Sequence, residues 1–196
     1  MFRDNRSNSG AQLRFQALHE IAAEARSRLP RNIWDYMRGA TETETTAKRN
    51  RMAIDSLALR PRVLRDVQDI SLSSKFLGAD LELPLTFAPI GSLQSFDPEG
   101  GAAAARAAAR HGMMTTLSSV SAPGLEETAA AAPGPKIFQL YVRGDDAWVD
   151  DHAERAIAAG YTAFCLTVDV AVYSRRERDI VNRFVKPWPR DAGGQN

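Results

Sequence analysis

Polar side chains stand where apolar β-runs end in the second half of this chain. Gln139 and Tyr141 close Phe138-Gln139-Leu140-Tyr141-Val142, Thr167 and Asp169 close Leu166-Thr167-Val168-Asp169, and Arg176 follows in Arg175-Arg176-Glu177-Arg178-Asp179. An amide, hydroxyls and a carboxylate can hold a polar ligand by hydrogen bonds, and a guanidinium fork fits a carboxylate. The C-terminal end of a strand is also where an α/β barrel assembles its active site.

Groups that move protons or attack carbon are scarcer. His19 falls in an N-terminal helical pattern, His111 precedes Gly112 at a helix end where an imidazole is an ordinary cap, and His152 lies in a later helix. The only cysteine, Cys165, sits inside Ala163-Phe164-Cys165-Leu166 and reads as a buried core thiol, with no disulfide framework around it. A formal net charge of +1 supplies no basic field, which argues against a nucleic-acid partner. Met1 to Gly10 is polar and lacks the apolar core of a signal peptide, and no run approaches the ~18 to 20 apolar residues of a membrane span, so a cytoplasmic location is expected.

The elements that must position these groups follow from periodicity. Leu13, Ala17, Leu18, Ile21, Ala22 and Ala25 recur at helical spacing over 13–28, until Leu29-Pro30 stops the pattern. A short helix is expected over 31–38 and a third over Glu42 to Leu57. The character then changes. Leu83 to Pro89 is β-rich, and Asp97-Pro98 offers an N-cap and a first-turn proline before the alanine-rich 102–110. Thr115 to Ser118 with Pro123 to Ala132, and Lys136 to Val142 with Asp145 to Ala159, repeat that unit, and Tyr161 to Val170 opens a fourth. Gly112 and Gly160 sit where helix C-caps belong.

Strands that return through helices must pair in parallel, which a doubly wound sheet and a barrel both satisfy. The first strand-helix turn reads Ala88-Pro89-Ile90-Gly91-Ser92, not the G-x-G-x-x-G of a nucleotide fold. Polar residues instead gather at successive strand ends, Ser118 and Ser119 included, which favours a barrel. Only about half of one is present, since a barrel takes roughly 250 residues in its common form.

In these motifs the chain resembles the N-terminal half of the FMN-dependent α-hydroxy-acid oxidases and dehydrogenases, the group of glycolate oxidase, lactate oxidase, flavocytochrome b2 and mandelate dehydrogenase. The resemblance runs from about Ala17 to Phe184. It is carried, in order, by Tyr36-x-x-Gly39 with Glu42, Glu44, Thr46 and Asn50; by Arg60-Pro61-Arg62-Val63-Leu64; by Ala88-Pro89-Ile90-Gly91; by Leu117-Ser118-Ser119 with Glu126-Glu127; and by the Gln139, Thr167 and Arg176 segments above.

The resemblance implies an α/β fold that is the N-terminal half of a TIM (β/α)8 barrel preceded by N-terminal helices. It implies a tail over 1–12, a helical segment and barrel lead-in over 13–82, four βα units over 83–184, and the start of the loop after strand four over 185–196. It further implies FMN held at its flavin edge by groups matching Pro89, Ile90, Gly91, Ser118, Gln139 and Thr167, with backbone atoms sufficing at the first three. A 2-hydroxy-acid carboxylate would be held by Arg176 with Tyr36 and Tyr141, and the Tyr141 hydroxyl would serve catalysis at the oxygen that becomes a carbonyl.

Each residue has a plainer use. Tyr141 could rest its ring in core, Tyr36 could pack among the N-terminal helices, and adjacent serines commonly cap a helix or satisfy loop amides. Arg175 reads as part of a solvated, salt-bridged turn, and Asp169 as a brace for its loop. The chain departs from the family at Gly39-Ala40-Thr41, at Ile90 in place of a threonine, at Asp97-Pro98-Glu99-Gly100-Gly101, and at Val120, where some members carry a large aromatic; the last suggests a roomier pocket.

Oxidising a 2-hydroxy acid needs a general base, which the family supplies as a histidine after strand seven; its flavin-contacting lysine and phosphate-binding glycine loops also lie in the C-terminal half. The resemblance therefore implies that this chain, alone, is inactive and needs a complementing C-terminal half. The intact enzyme is expected to be a homo-oligomer, with a membrane-binding insert after strand four in some members. The alternative is a non-catalytic half-barrel that binds or dimerises through its open strand edges.

Overall fold

A computed structural model describes residues 14–169 and 172–185. The tail over 1–12, Leu13, Val170 and residues 186–196 of the loop after strand four lie outside the described residues. Three helices come first, α1 (Leu18–Arg28), α2 (Arg31–Arg38) and α3 (Thr45–Asp55). The antiparallel hairpin β1 (Ser74–Phe76) and β2 (Ala79–Leu81) precedes the βα units. These are β3 (Thr86–Phe87), a 3-10 turn (Leu93–Ser95) with α4 (Gly100–Arg110), β4 (Met114–Ser118) with α5 (Leu125–Ala131), β5 (Lys136–Tyr141) with α6 (Asp146–Ala158), and β6 (Ala163–Thr167) with α7 (Glu177–Val181). No helix among the described residues is long and apolar enough to cross a membrane.

The four barrel strands pair in parallel in the order β3-β4-β5-β6. A doubly wound sheet reverses its order at a switch point; this one advances in one direction, as a barrel wall must. Alternation along β5 divides its two faces. Phe138 and Leu140 enter a core with Leu117, Leu125, Ala156 and Tyr161, against which Trp148 and Val149 of α6 also pack. Ile137 on the opposite face joins Met114 and Leu81 under the hairpin, so β1 and β2 close the N-terminal end of the strands. Both faces of β4 and β5 are therefore covered near their starts, and β5 opens only at Tyr141.

Helix α4 ends at His111 and α6 at Ala159, each followed by a glycine at positive φ. The Met113 amide donates to Ala108 O and the Tyr161 amide to Ala156 O, the longer bond of a Schellman cap at each helix. Both C-caps fall where the sequence predicts them. The start of α4 differs. Asp97 Oδ1 accepts from the Glu99 amide at 2.8 Å, and the helix begins only at Gly100, without a side-chain cap. The reason is a close crossing. Gly100 has φ of +47°, and a Cβ there would lie 2.0 Å from Ala122 O. Asp97 thus shapes a turn that lets the chain pass the β4–α5 loop.

Three other segments differ from expectation. Pairing reduces the β-rich run Leu83 to Pro89 to Thr86–Phe87, because β3 has β4 on one side and no described strand on the other. Helix α3 is shorter than Glu42 to Leu57, since Glu44 takes a left-handed conformation ahead of it. Cys165 is exposed: β6 is the other edge of the sheet, and an apolar run is buried only where something covers it. Segment 57–73 shows the same lack of cover, with Leu59, Val63, Leu64, Val67 and Ile70 all exposed.

Tyr161 anchors the helical layer. It is buried, and its hydroxyl donates to Leu125 O at 2.9 Å. Burial, with Glu126 nearby, pushes its ionisation well above the ordinary tyrosine value. A folded-state pKa above the unfolded one leaves stability unchanged below pH ~10 and erodes it as pH rises further. Tyr161→Phe is expected to cost about 1 kcal/mol at neutral pH and to flatten part of the alkaline decline, both measured by urea unfolding across pH.

Candidate active site

In-register pairing sets Ser118 opposite Gln139, Gln139 opposite Cys165 and Tyr141 opposite Thr167, all on the face turned away from the helices. Gln139 is 1% exposed. Its Nε2 donates to Thr167 Oγ1 at 2.5 Å, while its buried Oε1 has no partner among the described residues. Exchanging the amide's two ends would only move the orphan to the nitrogen, so one strong hydrogen-bonding atom stays unsatisfied either way. A buried polar group without a partner costs roughly 1–3 kcal/mol, and it marks a place for a ligand atom.

The loops above these strands are tied to one another. The Ser92 amide donates to Val120 O at 2.9 Å, Ser121 Oγ to Ile90 O at 2.7 Å, and the Ala122 amide to Gln94 Oε1 at 3.0 Å. Gly91 lies against Val120; a Cβ there would meet the valine Cγ2 at 2.8 Å. Pro89, Ile90 and Gly91 are thus held at the end of β3 beside the end of β4. Both serines serve the loop as well. Ser118 Oγ accepts from the Val120 amide at 3.4 Å, and Ser119 Oγ accepts from the Tyr141 amide at 3.1 Å, fixing the end of β5.

Tyr141 is half-buried there. Desolvation, then the charge of Asp169 and the neighbouring Tyr36 and Tyr173, holds its pKa above the ordinary value, with Arg143 opposing. The hydroxyl therefore remains a proton-bearing donor through the physiological range. Among the described residues no group hydrogen-bonds the hydroxyl of Tyr141 or that of Tyr36.

Tyr36 and Arg176 form the other part of the site, brought together from segments far apart in sequence. The Tyr36 ring stands 6.2 Å from Phe96 and 4.7 Å from Phe184, centroid to centroid, and the Arg176 guanidinium lies 5.1 Å above it. Arg176 Nη2 donates to the carbonyls of Tyr36 and, at 2.8 Å, of Gly39, which are at the C-terminal end of α2. Its Nε lies 3.3 Å from Asp179 Oδ2 without hydrogen-bond alignment and is a buried nitrogen without a partner among the described residues. Arg175 is exposed and contributes only its carbonyl, to the Glu42 amide at 2.8 Å. The two adjacent arginines divide between surface and interior.

A feature the sequence did not reveal is the set of groups that carries this pair. Arg178 reaches Glu44 through Nε at 2.6 Å and Nη2 at 2.7 Å, and Nη1 lies 3.5 Å from Asp35 Oδ1. Asn182 Nδ2 donates to Asp35 Oδ2 at 2.8 Å. Asn182 and, after it, Arg178 and Arg31 hold the Asp35 carboxyl below the usual range; Arg178 does the same for Glu44. Glu44 and Arg178 each belong to motifs visible in the sequence, yet nothing in their spacing joins them.

A cleft of about 400 Å³ adjoins the ends of β4 and β5. Ser118, Val120 and Tyr141 line it together with Leu125, Trp148 and His152, so it runs from the strand ends into the layer between α5 and α6, while none of Gln139, Thr167, Tyr36 or Arg176 is in its lining. His152 is occupied within that layer, its Nδ1 2.9 Å from Trp148 O and its ring against Trp148 and Phe138. No group of metal-ligating side chains occurs among the described residues.

With this geometry in hand, comparison with known proteins is informative. A family model described as FMN-dependent dehydrogenase matches residues 25–192. Glycolate oxidase 1 of Oryza sativa subsp. indica is 42% identical over 168 residues, covering 86% of this chain and 46% of the relative. Glycolate oxidase of Spinacia oleracea is 40% identical over 170 residues, covering 87% of this chain and 46% of the relative. Among solved structures, mandelate oxidase with benzoyl-formic acid superposes with a TM-score of 0.84 at 37% identity, over 88% of this chain and 51% of that one. A soluble mutant of the membrane-associated (S)-mandelate dehydrogenase from Pseudomonas putida gives 0.82 at 36%, over 86% and 48%. The chain spans about half the length of the curated relatives it matches.

The orphan atom yields a direct test in cofactor-free protein. Thr167→Val strips Gln139 Nε2 of its acceptor and is expected to cost about 1–3 kcal/mol in chemical unfolding. Adding Gln139→Leu removes the whole buried polar set and should return stability to the starting value or above it.

Proposed function

This chain belongs to the FMN-dependent dehydrogenases, and we propose that the protein in which it acts oxidises a 2-hydroxy acid to a 2-oxo acid with FMN as cofactor. The observation that carries the reading is Gln139 with its unpaired Oε1 beside Thr167. The pyrimidine edge of a flavin sets an N–H donor between two carbonyl acceptors, so either orientation of the buried amide finds a partner there. The residues present fit the group: Gln139, Thr167 and Ser118, with the backbone at Pro89, Ile90 and Gly91, would hold its edge. FMN, when bound, supplies the two-electron acceptor for the oxidation.

The remaining residues act on the acid. Arg176 offers its guanidinium to the substrate carboxylate, with Tyr36 beside it. The Tyr141 hydroxyl, kept protonated by burial, donates to the oxygen that becomes the carbonyl. His152 shares a cleft with Tyr141 but has its Nδ1 against Trp148 O within the helical layer, so in this reading the base that takes the proton comes from the C-terminal half of the barrel. The exposed apolar strap at 57–73 and the uncovered face of β6 support such a half, being apolar surface that water would otherwise cover. The small Val120 and the likeness to mandelate enzymes support acceptance of bulky 2-hydroxy acids.

The uncovered strand edges favour one rival, a half-barrel that only binds or dimerises. The two readings separate on the flavin. Under the first, the purified protein carries a flavin absorbance band that anaerobic glycolate, lactate or mandelate bleaches, and Arg176→Met raises KM about 100-fold while the band remains. A protein without flavin, or a flavin that no 2-hydroxy acid reduces, would dismiss it in favour of the rival.

A further inference from the structure

Helix α7 has five residues, too few to hold a helical conformation by its own hydrogen bonds, and none of them is buried. Polar contacts instead fix it against α2. The Arg178 fork occupies both carboxylate oxygens of Glu44, at 2.6 and 2.7 Å, with Asp35 at 3.5 Å. Asn182 holds the second oxygen of Asp35. Glu44 also accepts from the Ala40 amide at 3.2 Å, and the Gly39 amide donates to Asp35 O at 2.7 Å. The turn from Asp35 to Glu44 is therefore gripped at both ends by side chains of 178 and 182.

Arg176 enters the middle of that turn, on the carbonyls of Tyr36 and Gly39. Gly39 is the crossing point. A Cβ there would lie 2.5 Å from Asp35 O, 3.1 Å from Arg178 Cδ and 3.6 Å from Arg176 Nη2. The Arg178 stem and the Arg176 guanidinium thus meet the turn at the same residue.

We infer that Arg178 is a positioning residue for the substrate's carboxylate: held by Glu44 and Asp35, it sets where the Arg176 guanidinium stands over Tyr36. This rests on the reading that Arg176 and Tyr36 receive the carboxylate. Arg178 itself touches no substrate.

The test uses the FMN-loaded protein with Arg178→Met, which keeps the apolar stem and removes the fork, and Arg178→Lys, whose ammonium cannot bridge two carboxylate oxygens in the same plane. Both variants should raise KM for the 2-hydroxy acid about tenfold with kcat within about threefold. The dissociation constant of the 2-oxo acid, read from the flavin spectrum without turnover, should rise equally, while a neutral 2-hydroxy amide binds as before. Amide exchange at Gly39 and Ala40 should quicken in both. Glu44→Gln should produce a similar loss, and combining it with Arg178→Met should add little, as for two residues of one unit. Unchanged carboxylate affinity, or an equal loss of carboxylate and neutral ligand accompanied by a lower melting temperature, would overturn the inference. If the unsubstituted protein bound FMN but no carboxylate ligand, the underlying function would be at fault instead.

Discussion

The unfilled hydrogen-bonding capacity of Gln139 is the constraint on which the candidate site depends. Its position is not negotiable, because β5 lies between β4 and β6 and parallel register fixes which residues share a face. One face of β5 is committed to the helical core through Phe138 and Leu140. The other must then present Ile137, Gln139 and Tyr141 in ascending order. Ile137 is covered by the hairpin below, and Tyr141 reaches the open rim above. Gln139 falls between, buried enough that water does not satisfy it and paired on one atom only. A sheet built for stability alone would place an apolar side chain there.

The second half of the site is assembled by different physics. Tyr36 and Arg176 do not sit on the sheet, and their segments lie outside the two buried core clusters among the described residues. They meet because α7, α2 and the turn after it are held by charged hydrogen bonds, with Phe96 and Phe184 packed about the tyrosine ring. Such contacts are directional. They orient a guanidinium better than apolar packing does, while contributing little to stability where solvent reaches them. Ser118, Gln139 and Thr167 are thus placed by a rigid sheet, and Tyr36 and Arg176 by a polar latch.

What the sequence revealed follows this division. Strands β4 to β6 follow the apolar runs read in the sequence, and their register brings Ser118, Gln139, Tyr141 and Thr167, polar residues at or near the strand ends, to one face. The glycine caps of α4 and α6 were equally legible, because left-handed backbone at a helix end leaves few alternatives to glycine. The β1–β2 hairpin was not. Its turn places Leu77 as well as Gly78 at positive φ, and leucine carries no turn signal. Helix α7 was hidden in a charged run that resembles a solvated turn, and its helical state depends on contacts more than 130 residues distant. Cys165 misled for the converse reason: its neighbours in sequence are apolar, but burial is decided by neighbours in space, and β6 stands at the edge of the sheet.

That edge bears on the chemistry as well as the fold. Hydrogen bonds to a reacting oxygen and a guanidinium on a carboxylate gain their strength where water is excluded and the effective dielectric is low. Gln139 and Ser118 already meet that condition, each 1% exposed, whereas Tyr141 is half-buried and Arg176 keeps part of its side chain in solvent. Two of the groups that would bind cofactor, Ser118 and Gln139, are therefore desolvated by this half of the barrel, while Pro89, Ile90 and part of Thr167 stay open to solvent along with the groups that would bind and polarise substrate. Covering β6 and the strap at 57–73 would bury the rim without moving the residues on it. The same uncovered surface thus leaves Ser118 and Gln139 at low dielectric and the rim at Tyr141 and Arg176 within reach of water.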